Sequence, residues 1–132
     1  MYISITAFYA AILAIIMVAL AVNVTVHRVK LGVPLGDGGN PQMLRMMRLH
    51  GNAVEYIPLA VLLMLIYEIN GGWHAALHVA GILLVIGRLL QTWNMWGTEI
   101  AGFGRRAGQS LNWLTIAVLA LFNLWQIAHA AA

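Results

Sequence analysis

The sequence predicts an all-α fold: an integral membrane four-helix bundle forming a single domain over residues 1–132. Three observations predict it. Of the 132 residues, 62% are hydrophobic and only 8% are charged, whereas a soluble domain carries about a quarter charged residues. Four apolar stretches each supply roughly the 20 residues a helix needs to cross the hydrocarbon core. Between them lie breaks rich in Gly, Pro and Asn, which favour turns over helix. The four spans consume nearly the whole chain and leave no room for a separate soluble domain.

The first span is expected over residues 5–26, closing in His27, Arg28 and Lys30. Its apolar run is too long for the core of a signal peptide and no basic segment precedes it, so it reads as a retained helix. The stretch from Gly32 to Pro41 reads as a loop. The second span is expected over 42–69, polar at first and apolar from Ile57 to Tyr67, with Pro58 predicting a kink. Asn70-Gly71-Gly72 breaks the chain before a third span over 73–96. A polar loop from Gly97 to Gly108 then leads to a fourth span over 109–128.

The absence of cysteine excludes disulfides, a cysteine nucleophile and thiolate metal sites. A net charge of +3 comes from only seven Lys and Arg residues, and no aromatic-basic patch is present, so nucleic acid is not an expected partner. Basic residues mark cytoplasmic loops. Arg28, Lys30, Arg45 and Arg48 flank the first loop, Arg105 and Arg106 the third, and the middle loop has none. Both termini are therefore expected outside the cytoplasm. Tyr67 and Trp73 at one interface, and Trp93, Trp96 and Trp113 at the other, are expected to form aromatic belts.

The candidate site lies on the second span. Arg45, Arg48, Asn52, Glu55 and Tyr56 fall on one helical face through spacings of three and four. A polar stripe on a spanning helix cannot face lipid; it faces other helices or a water-filled cavity. Headgroup contact is the alternative for both Arg45 and Arg48, with equal weight for Arg45, and Asn52 could serve helix–helix hydrogen bonding. Arg88 lies roughly 12 Å inside the third span by helical rise, and Glu55 is its expected ion-pair partner. Arg105 and Arg106 read equally as topology signals or as cations able to hold a thiolate. His74 and His78, four apart, lack a third ligand, so no metal site is expected. Glu68 is expected near the opposite headgroups, solvated or capping the bundle, and the methionines are expected in packing or lipid contact.

These residues also carry a family resemblance. Leu35-Gly36-Asp37-Gly38-Gly39-Asn40, Arg48-x-His50-x-Asn52-x-x-Glu55-Tyr56-x-Pro58, Gly87-Arg88 and Arg105-x-x-Gly108 occur in an order that resembles the MAPEG proteins, the membrane-associated proteins in eicosanoid and glutathione metabolism. The likeness covers nearly the full length and is greatest to the small prokaryotic branch. It implies a homotrimer in the bacterial inner membrane with glutathione, as co-substrate, bound between subunits at the cytoplasmic side. By this resemblance Arg28, Arg48, His50, Asn52, Glu55, Tyr56, Arg88 and Trp93 bind the tripeptide. Arg105, with Arg106 as the second candidate, activates its thiol against a lipophilic small molecule. Gly51 stands where the prostaglandin-forming branch has arginine, and Leu89 and Trp93 where leukotriene-forming members have glutathione-contacting tyrosines. The implied activity is thus a glutathione-dependent transferase or peroxidase, not eicosanoid synthesis. The alternative is a non-catalytic scaffold or lipid-binding protein of the same fold.

Overall fold

The computed structural model describes residues 4–96 and 102–130, without the side chains of 94–96 and 130. It contains α1 (Ser4–Leu31), α2 (Pro41–Ile69), α3 (His74–Trp96) and α4 (Phe103–Ala130). All four are long and apolar enough to cross a membrane.

Local chemistry sets the helix ends. The α1 helix continues five residues beyond its expected end, because the basic residues that follow Val26 are good helix formers. Gly32 stops it at φ 65°. There the Val33 N–H donates to the Arg28 carbonyl and the Gly32 N–H to the Val29 carbonyl, a Schellman closure that needs a left-handed residue. Gly71, at φ 76°, ends α2 in the same way. Its neighbour Gly72 donates to the Tyr67 carbonyl at 2.8 Å. Between the two helices, Asn40 caps α2 by accepting from the Gln42 and Met43 N–H groups, with Pro41 in the first turn. The α2 helix runs unbroken through Pro58.

The α4 helix starts six residues earlier than the sequence predicts, so Arg105 and Arg106 sit in its first turn and not in a loop. Gly104 and Gly108 looked like breakers. Gly108 is instead a packing surface: a Cβ there would collide with the Gly87 carbonyl of α3. Small residues at such crossings let helix backbones approach closely within a membrane.

Side-chain contacts fix an up-down-up-down bundle. Both oxygens of Glu68, at the end of α2, accept from the first turn of α1: the Ile5 N–H at 3.1 Å and the Thr6 N–H at 2.8 Å. Glu68 is thus a buried cap and not a solvated headgroup neighbour. Tyr9 of α1 meets His78 Nδ1 of α3 at 3.1 Å, and its ring lies against Gly81. Asn123 of α4 donates to the Leu63 carbonyl of α2 at 3.1 Å. Leu13, Met64, Leu77 and Leu119 fill the middle of the bundle. Met43 and Met46 join Met64 among the buried residues.

Tyr67 does not serve an aromatic belt. It is 5% exposed and stacks on Phe122 at 5.6 Å. Trp73, Trp93 and Trp113 are exposed as a belt requires, while the side chains of Trp96 and Met95 lie outside the described residues.

Candidate site on the second helix

The antiparallel order gathers Arg28, Lys30, Arg45, Arg48, Arg105 and Arg106 at one end of the bundle, the basic end. There α2 has two faces. Met43, Met46, Leu49, Ala53, Ile57 and Ala60 point into the core. The polar residues occupy the remainder of the circumference: Arg48 and Glu55 are exposed, and Arg45, His50, Asn52 and Tyr56 are half-buried. Arg48 and Glu55 therefore point outward from the bundle, while Tyr56 turns toward α3 and α4. No side chain from α1, α3 or α4 hydrogen-bonds to Asn52 or Glu55 among the described residues.

Arg88 is 2% exposed. Glu55 lies within its electrostatic reach, but no ion pair joins them among the described residues, because Glu55 faces outward from α2. The guanidinium has two other partners. Its Nη1 donates to Gln91 Oε1 at 2.9 Å, and its carbon lies 5.8 Å from the Tyr56 ring centroid, a cation–π distance. Gln91 Nε2 in turn donates to Gln109 Oε1 of α4 at 2.9 Å. The Tyr56 ring also meets Trp113 edge-on at 6.3 Å. A polar network with one cation, Arg88, therefore runs from α4 through α3 to Tyr56 of α2.

Sequence reasoning missed Gln91, Gln109 and Asn112. Gln91 shares a helical face with Arg88 at i, i+3, which was a usable signal. Gln109 required the α3–α4 register, which the loop reading of Gly104–Gly108 obscured. Asn112, fully buried against Gly87, has neither amide atom hydrogen-bonded among the described residues.

The other candidates fall at different places around the basic end. Arg28 Nη1 donates to the Gly36 carbonyl at 2.8 Å and the Val33 carbonyl at 3.3 Å, so Arg28 organises the first loop. Arg105 is half-buried and Arg106 exposed on the first turn of α4. Trp93 is 79% exposed on α3, beside an apolar groove of about 420 Å³ formed with Ile86, Leu89 and Leu90. The structure thus joins Tyr56 to Arg88, leaves Asn52 half-buried, and puts Arg48, Glu55, Trp93 and Arg106 on outward surfaces.

Four spanning helices, closed at one end by a buried carboxylate and bearing at the other an outward arginine-rich polar face, define a small four-helix membrane protein. The chain matches the MAPEG family over residues 6–125 and belongs to it, as the helix-two motif indicated. It is 38% identical over 122 residues to the inner membrane protein YecN of Escherichia coli strain K12, covering 92% of this chain and 91% of that protein. The protein of the same name from Escherichia coli O6:H1 shows the same identity and coverage.

Proposed function

We propose that the chain is a glutathione-dependent transferase or peroxidase of lipophilic electrophiles. In this reading it works as a homotrimer in a bacterial inner membrane, with its basic end in the cytoplasm. The observation that carries the reading is the exposed polar face of α2. Arg48 and Glu55 stand outward from a membrane-spanning helix, with Asn52, His50 and Tyr56 between and beside them. Lipid tails offer such groups no hydrogen bonds, so a second polypeptide surface or a water-filled cleft must cover them. A second copy of the chain creates a cleft of this kind at each contact. The MAPEG family's association with glutathione supplies the guest, and the YecN name supports the inner-membrane assignment.

The chemistry of the face suits that guest. Glutathione carries two carboxylates and one ammonium. Arg48 offers bidentate carboxylate binding, Glu55 an ammonium partner, and Asn52 both a donor and an acceptor. The thiol must lose its proton before it attacks, and a nearby guanidinium favours the thiolate without itself taking the proton. Arg105 is assigned that role, with Arg106 next to it. The thiolate sulfur then bonds to the electrophilic carbon, and the leaving group departs with its electron pair. The apolar groove at Leu89 and Trp93 supports entry of the electrophile from lipid.

Isothermal titration of the purified protein with glutathione tests the reading, together with conjugation of chlorodinitrobenzene. Binding and turnover are expected, and Arg105→Ala should lower turnover more than affinity. Absence of binding at millimolar glutathione contradicts it. One observation favours a second reading, a lipid-binding scaffold: Leu89 and Trp93, 53% and 79% exposed, are apolar and lipid-ready. That reading predicts heat on titration with anionic lipids and none with glutathione.

A further inference from the structure

We propose that Gln91 and Gln109 are positioning residues: they fix Arg88 beneath Tyr56 and thereby set the α2 wall of the ligand site. The proposal rests on the glutathione reading of that wall. It also redefines Arg88, which at 2% exposure within the subunit is placed to act through Tyr56 and not by touching the ligand.

The geometry has a direction. Gln109 Oε1 accepts from Gln91 Nε2, and Gln91 Oε1 accepts from Arg88 Nη1, both at 2.9 Å. Each amide is committed by the one before it, so the orientation of Gln109 decides whether Gln91 presents its oxygen to Arg88. The guanidinium then holds the face of the Tyr56 ring at 5.8 Å, and Trp113 of α4 holds the ring edge. The network starts and ends on α4 and passes through α3 to the one aromatic ring of the polar α2 face. A guanidinium and two amides inside a membrane bundle are costly to bury, and apolar residues would pack α3 against α4 without them. What the polar set adds is a fixed position for Tyr56 and a cation, not neutralised by a contacting carboxylate among the described residues, behind a wall that receives an anion.

Gln109 acts in this network as an acceptor. Gln109→Leu removes the acceptor, whereas Gln109→Glu keeps it at nearly the same volume. The wild type, Gln109→Leu, Gln109→Glu, Tyr56→Ala and Gln109→Leu/Tyr56→Ala proteins are titrated with glutathione. Loss of one such part-buried hydrogen bond corresponds to a rise in Kd of roughly tenfold. That rise is expected for Gln109→Leu, with kcat for chlorodinitrobenzene little changed and near-wild-type Kd in Gln109→Glu. In the Tyr56→Ala background the further effect of Gln109→Leu should vanish. Without any ligand, the near-ultraviolet circular dichroism contributed by the Tyr56–Trp113 pair is read as the difference from Trp113→Phe. It should collapse in Gln109→Leu and persist in Gln109→Glu.

Unchanged affinity and dichroism in Gln109→Leu overturn the positioning role, as does an equal Gln109→Leu effect with and without the Tyr56 ring. If wild type binds no glutathione, the site reading falls. The dichroism still decides whether Gln109 positions Tyr56.

Discussion

Arg88 is a guanidinium buried in a membrane bundle whose contacts among the described residues are an amide oxygen and an aromatic face. A charge so placed is sensitive to the loss of either. Gln91→Leu strips its hydrogen-bond acceptor while leaving the charge in place, and should cost about 1–3 kcal/mol of stability. Arg88→Leu removes the demand itself, and a well-packed apolar replacement of a buried charge can be neutral or better. The double variant Arg88→Leu/Gln91→Leu is therefore expected to recover most of what Gln91→Leu loses. Thermal unfolding in detergent measures both, and additive losses would contradict the assigned partnership. The expected Arg88–Glu55 ion pair shows where residue-scale reading stops. The sequence reveals that a cation lies inside the third span. Which face of α2 turns toward it depends on helix rotation, and rotation is set by Leu49, Ala53 and Ile57 seeking the core.

At the scale of elements, two contacts hold the bundle at its two ends. Gly108 lets α4 press against the Gly87 carbonyl and Gln91 of α3. Gly108→Ala places a methyl group where backbone now sits, and neither helix can yield without moving the amide network beside it. Overpacking of this kind costs about 1–3 kcal/mol, and the melting temperature should drop accordingly. At the opposite end Glu68 satisfies two N–H groups that open α1. Glu68→Ala leaves both without that acceptor and should cost about 1–2 kcal/mol, as for loss of a helix cap. Hydrogen exchange at Ile5 and Thr6 should accelerate with it; unchanged exchange would contradict the cap.

Helix existence was legible in the sequence because hydrocarbon length is a composition signal. Helix ends were less so. Gly32 and Gly71 stop helices, because the chain there enters the left-handed region. Gly104 and Gly108 do not, because what matters at Gly108 is the absence of a side chain. A sequence prints both uses of glycine with the same letter. The cap by Glu68 was half visible: its placement near a helix end was expected, and its partner on α1 required the antiparallel packing.

For the whole molecule, the decisive feature is that Arg48 and Glu55 of the polar α2 face point outward from the bundle. The stripe of three- and four-residue spacings was legible, and so was the rule that lipid cannot cover it. That Arg48 and Glu55 point away from the chain's own four helices was not, because the stripe's direction relative to α1, α3 and α4 is a tertiary property. Trp93 and Leu89 lie on α3 facing outward as well, so an apolar groove and outward polar residues both lie on the surface of the bundle.

Native mass spectrometry of the wild-type protein, released from detergent with and without glutathione, reads assembly and ligand together. The account predicts a trimer that takes up glutathione, up to one molecule per subunit contact. A monomer, or a trimer that stays empty at millimolar glutathione, would contradict it.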